Sequence, residues 1–213
     1  MNYSDSILFV MEIIGTIAFA SSGAMLAVRK RMDLFGVCVL GVTTAVGGGM
    51  IRDLILGITP PNIFQNPLNT VIALVVSIAL FLFLYFRHGS MGEELALVYD
   101  KIMMVFDAVG LGVFTAMGIN TAREAGYDQA FLLVFVGVVT GVGGGLLRDV
   151  MAQEKPYILT KHIYACASIL GALVCVFTWE PAGNLLSIML GVFVVIAVRF
   201  LAMHYRWNLP RLD

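Results

Sequence analysis

Charge is what this chain has least of. Its 213 residues include 13 Lys and Arg and 14 Asp and Glu, so 13% are charged, about half the share of an ordinary soluble domain. That shortage excludes a surface solvated on all sides. The net charge of −1 excludes a broad basic face, so no nucleic-acid partner is expected. Cysteine is scarce as well. Cys38, Cys166 and Cys175 are odd in number and have no paired CxxC spacing, which argues against a disulfide framework or a metal site. The three histidines, His88, His162 and His204, lie apart near the ends of apolar runs and form no ligand cluster. No Ser-His-Asp arrangement is visible, and Gly141-Val142-Gly143-Gly144-Gly145 lacks the Gly-Lys-Ser/Thr of a phosphate loop. Catalysis and a resident cofactor are therefore not expected. A basic leader is missing too, since Arg29-Lys30-Arg31 follows the first apolar run, which reads as a retained span.

What is abundant is apolar sequence. Hydrophobic residues make up 60% of the chain, and the mean hydropathy is +0.93. A helix of about 20 apolar residues crosses a bilayer core of about 30 Å. Seven runs meet that length: 6–28, 34–57, 68–86, 102–121, 129–152, 157–177 and 184–204. The expected fold is an all-α integral membrane protein, one membrane domain over 1–213, with the lipid bilayer as its surroundings. Pro60, Pro61 and Pro67 mark an irregular linker after the second run. The segment 87–101 is the longest polar connection, and 178–183 is a short one containing Pro181. Lys and Arg crowd one set of connections: Arg29 to Arg31, Arg87, Lys101, Lys155 and Lys161, with Arg206 and Arg211 at the end. The other set holds only Arg123. This bias predicts an N-terminus outside and a C-terminus in the cytoplasm.

The chain also repeats itself. Gly47-Gly48-Gly49-Met50-Ile51-Arg52-Asp53 returns as Gly143-Gly144-Gly145-Leu146-Leu147-Arg148-Asp149. Glu12, Gly15, Phe19 and Gly23 recur 95 positions later as Asp107, Gly110, Phe114 and Gly118, and from Thr44 onward the offset is 96, pairing Thr44 with Thr140. Spans one to three (6–86) and four to six (102–177) are thus two copies, with the seventh (184–204) left over. Because three spans are an odd number, the copies enter the membrane in opposite directions, which makes an inverted repeat.

Such architectures carry their site near the midplane, between discontinuous helices. Three glycines in a row weaken a helix, so spans two and five are expected to break at Gly47–Gly49 and Gly143–Gly145. A break exposes carbonyls that suit a monovalent cation. Thr43, Thr44 and Thr140 would add hydroxyls there, and Ser21 and Ser22 would add them from span one. The other reading of the triplets is close helix packing. Arg52 and Arg148 gate the path or brace the break, and Asp53 and Asp149 need not pair with them, since neighbours on a helix diverge. Glu12 and Asp107 read as matched interfacial caps, and Phe19 and Phe114 as packing or an apolar constriction.

With these motifs the sequence resembles the prokaryotic trimeric intracellular cation channels, a domain also labelled a glycine transporter. The resemblance spans residues 8 to 201. It implies a homotrimer with one pore per protomer, lined by spans one, two, four and five, that passes potassium and sodium, and kinks at the two glycine triplets. Small residues of spans four and seven (Gly112, Gly118 and Gly191) permit an interface between chains. Animal members bind an inositol phospholipid through basic residues on the fourth span. Here 102–121 has no Lys or Arg beyond Lys101 at its edge, so lipid binding does not carry over. Two functions stay open: a cation channel, or a secondary transporter of a small amino acid such as glycine. A membrane protein whose glycines only pack is a weaker third.

Overall fold

The computed structural model describes residues 3–86, 93–160, 163–205 and 207. Its helices are α1 (Tyr3–Arg29), α2 (Leu34–Leu56), α3 (Asn62–Gln65), α4 (Leu68–Phe86), α5 (Glu93–Glu124), α6 (Ala130–Met151), α7 (Tyr157–Thr160), α8 (Tyr164–Ala182) and α9 (Asn184–His204). Seven of them are long and apolar enough to cross a membrane. The helix ends follow local chemistry. The Asp33 side chain accepts the Gly36 N–H at 2.8 Å and caps α2. Gly57, at φ 71°, closes that helix with the Ile58 N–H returning to the Asp53 carbonyl at 2.8 Å. Gly126, at φ 87°, does the same for α5, sending the Tyr127 N–H to Ala122.

The chain is an integral membrane protein with an inverted three-plus-three repeat and a seventh helix. The first copy packs α1, α2 and α4 on one another, and the second packs α5, α6 and α8. The copies meet where α1 lies on α5 and α2 lies on α6. The extra helix α9 packs on α5 and α8, and among the described residues it makes no substantial contact with the first copy.

Several expectations are corrected. The sixth span starts at Tyr164 rather than at residue 157, because 157–160 is the separate short helix α7. Part of the polar segment 87–101 is helical, since α5 already begins at Glu93. Pro181 lies inside α8, in its last turn, and Gly183 at φ 79° ends the helix. The breaks at the glycine triplets are absent: α2 and α6 each run as one helix through Gly47–Gly49 and Gly143–Gly145. His88 and His162 lie outside the described residues, as do Arg87, Lys161, Arg206 and Arg211.

Candidate functional site

The glycine triplets meet each other instead of breaking. A Cβ on Gly48 would run into the Thr140 carbonyl oxygen, and one on Gly144 into the Thr44 carbonyl oxygen. A Cβ on Gly143 would lie 3.2 Å from the Cα of Gly48. Two continuous helices thus cross backbone to backbone, the use of small residues that helix packing in lipid favours. The Thr44 hydroxyl donates to the Leu40 carbonyl and the Thr140 hydroxyl to Val136, both at 2.6 Å. These hydroxyls bond back onto their own helices, with Thr44 set against Gly23 of α1 and Thr140 against Gly118 of α5. Beside the crossing, the rings of Phe19 and Phe114 stack at a centroid distance of 5.3 Å. Each ring fills space that a Cβ would take from the other copy, Phe19 at Gly110 and Phe114 at Gly15.

On one side of this crossing lies a buried charge cluster of the second copy. Arg148 donates from Nε to Asp149 at 2.9 Å, and from Nη1 to Asp107 at 2.7 Å and to the Ser22 hydroxyl. Asp149 also accepts the Tyr157 N–H at 2.8 Å. The Tyr164 hydroxyl donates to Asp107 at 3.4 Å. Arg199, from α9, lies over the Tyr164 ring at 4.7 Å and brings Nη2 to 3.9 Å from Asp107. Asp107, Arg148, Asp149 and Arg199 are all at most 2% exposed. Two carboxylates face two guanidiniums, so the cluster balances its charge in a place where an unpaired ion costs several kcal/mol.

The first copy repeats the framework and leaves it open. Arg52 donates to Asp53 at 2.8 Å, Asp53 accepts the Asn62 N–H at 2.7 Å, and Glu12 accepts from the Asn69 amide at 2.8 Å. The paired bonds Asp53–Asn62 and Asp149–Tyr157, or Glu12–Asn69 and Asp107–Tyr164, are the same contacts made twice. Yet Glu12 is half-buried and bonds neither arginine. It borders a cavity of about 520 Å³ whose lining includes Thr16, Ala45 and Phe114. Four carboxylates line it, Asp5, Glu12, Asp53 and Glu124, against the single guanidinium of Arg52.

The structure therefore brings together Glu12, Arg52, Asp53 and Phe114 at the cavity, with Gly49 at its edge. It gathers Ser22, Asp107, Arg148 and Asp149 in the buried cluster. Ser21 is buried and lies among neither set of contacts. Asp107 is no interfacial cap, because burial beside Arg148 makes it an ion-pair partner. Each arginine does bond the aspartate that follows it, since a long guanidinium folds back over a short carboxylate. Gly112, Gly118 and Gly191 are taken up inside the protomer, against Val192 of α9, Thr140 of α6 and Cys175 of α8. Arg199, Tyr164, Asn69 and Thr16 escaped the sequence reading. A lone arginine inside an apolar span was the available signal for Arg199; the others needed the fold.

The comparisons agree with this architecture. A family model described as a glycine transporter matches twice, over residues 9–85 and 104–180. The UPF0126 inner membrane protein YadS of Escherichia coli K12 is 39% identical over 96% of this chain and 95% of its own. Among solved structures, one described as a prokaryotic TRIC channel is 34% identical with a TM-score of 0.85, covering 96% of this chain and 99% of that one. The trimeric intracellular cation channel orthologue from Rhodobacter sphaeroides is 30% identical with a TM-score of 0.84, covering 95% and 100%. A doubled match in the two copies, joined to relatives that align from end to end, leads to one assignment: the chain belongs to the membrane-protein family described as glycine transporters, and its solved relatives are prokaryotic TRIC channels.

Proposed function

We propose that the chain is a cation channel of the inner membrane, in a closed conformation, with one conduction path per protomer of a homotrimer. The carrying observation is the acid-rich cavity, whose lining includes Phe114 of the Phe19–Phe114 stack between the two copies. Carboxylates around a water-filled mouth raise the local cation concentration. The TRIC cation channels that align over nearly the whole chain support the same reading. On opening, α2 and α6 part at Gly48 and Gly144, the Phe19–Phe114 stack separates, and Arg148 releases Asp107 or Ser22. Potassium and sodium are the expected ions, and the lysine and arginine bias puts the cavity mouth outside and the C-terminus in the cytoplasm.

A second reading has its own observation. The cavity opens to one side while the equivalent residues on the other side are buried, a form that alternating access would take in an inverted repeat. The description of the family model as a glycine transporter points the same way. Recording from the purified protein in a planar bilayer with asymmetric potassium chloride separates the two. Discrete steps that reverse near the potassium potential are expected. A silent bilayer, with glycine uptake into proteoliposomes from the same preparation, would sink the channel reading in favour of the transporter.

A further inference from the structure

The two copies differ in one charge. Asp107 has a guanidinium on each side, Arg148 at 2.7 Å and Arg199 at 3.9 Å. Its counterpart Glu12 has the Asn69 amide. Arg52 stays on Asp53, and α9, which supplies Arg199, packs on the second copy. The first copy therefore lacks the positive charge that completes the second, and its acid borders the cavity.

A second observation marks where a ligand would sit. Thr16 is fully buried, lines the cavity, and its hydroxyl has no hydrogen-bond partner among the described residues. Thr44, Thr115, Thr121 and Thr140 all donate to the carbonyl one turn back. Thr16 does not. It stands four residues after Glu12, on the same face of α1, and its counterpart in the second copy is the apolar Leu111. An orphaned buried hydroxyl costs about 1–3 kcal/mol, so its retention beside a carboxylate calls for an occupant.

We propose that the first copy binds one monovalent cation between the Glu12 carboxylate and the Thr16 hydroxyl. The cation does for Glu12 what the Arg199 guanidinium does for Asp107. The donors are oxygens of a carboxylate, a hydroxyl and neighbouring amides, which suit a hard cation. A divalent ion is disfavoured, because no group of three or more Asp, Glu, His or Cys among the described residues is placed to hold a metal. An anion would meet four carboxylates and a guanidinium already bonded to Asp53. The proposal rests on the reading of this cavity as the mouth of a cation path, and adds the place where an ion pauses.

The test is the thermal midpoint of the purified protein as potassium chloride replaces N-methyl-D-glucamine chloride at constant ionic strength. A saturable rise is expected for the native chain. Glu12→Gln and Thr16→Val should raise the half-saturating potassium at least about tenfold, the size of one lost charge-assisted contact. Glu154→Gln, which does not line the cavity, should leave it nearly unchanged. Thr16→Val keeps the side-chain shape and decides the matter if Glu12→Gln fails to fold. Unchanged saturation in both variants overturns the site, and so does an equal loss in Glu154→Gln, which would reduce it to a diffuse field. Bilayer currents without a saturable potassium effect remove the site and leave the channel; a saturable effect with a silent bilayer keeps the site and removes the channel. Stabilisation by glycine instead of potassium also overturns the proposal.

Discussion

The two copies share a framework and differ in what surrounds it. In the second, Asp107, Arg148 and Asp149 are buried, and α9 adds Arg199. In the first, Arg52 and Asp53 are buried too, but the equivalent acid Glu12 is only half-buried and all three border a cavity of about 520 Å³. Repeated sequence therefore does not make repeated surroundings. One helix outside the repeat is enough to seal one half and leave the other accessible.

The largest expected effect sets Arg148 against Arg52. Arg148→Met leaves Asp107 and Asp149 without their shared cation, and removing one partner of a buried ion pair costs about 3–5 kcal/mol. Arg52→Met should cost less, because it strips one buried carboxylate of its cation rather than two, and Asp53 keeps the Asn62 N–H and lines the cavity. Thermal unfolding in detergent measures both. Equal losses would erase the distinction between a sealed and an open half.

Smaller effects are expected at the crossing. Gly48→Ala and Gly144→Ala each push a methyl into a carbonyl of the facing helix, and should cost about 1–3 kcal/mol by overpacking. Their losses should match, since here the copies are alike. Gly49→Ala meets nothing closer than Arg52 Nη2 at 3.6 Å, so it should be neutral or stabilising by up to about 1 kcal/mol from helix propensity. Gly145→Ala meets the Tyr164 hydroxyl at 2.8 Å and should be the worse of that pair. A loss at Gly49 as large as at Gly48 would mean that the triplet is needed for bending rather than for contact.

The smallest effect is at the surface. Glu154 accepts from Lys30 at 2.7 Å and from Arg29 at 3.4 Å, tying the second copy to the turn after α1. The Lys30 hydrogen bond, with the charges of Lys30 and Arg29, holds its carboxyl below the usual range. Its contribution is whole at neutral pH, fades as pH falls to about 4.3, the ordinary Glu value, and is gone below its own lowered value. Glu154→Gln should cost no more than about 1 kcal/mol at pH 7 and nothing at acid pH, which melting at several pH values will show.

These contrasts also explain what sequence could and could not reveal. Span ends were legible where one residue decides them, as at Asp33 and Gly57. The repeat was legible because its matches keep a constant offset. The fate of the glycine triplets was not, because glycine both weakens a helix and lets another helix approach, and only the partner helix decides which prevails. The partners of Arg148 were hidden for a related reason: Asp107 and Ser22 lie 41 and 126 residues away. Glu12 and Asp107 looked equivalent in sequence, and the contacts of α9 made them unlike.

The position of α9 bears on how the protein is made. A ribosome delivers this helix after both copies. Until then the grooves of α5 and α8 are bare, and Asp107 has one arginine instead of two. The first copy needs nothing from α9, so its packing can be complete while the second waits. A chain that stops short of residue 184 would hold Asp107 with Arg148 alone, without the second guanidinium that α9 brings.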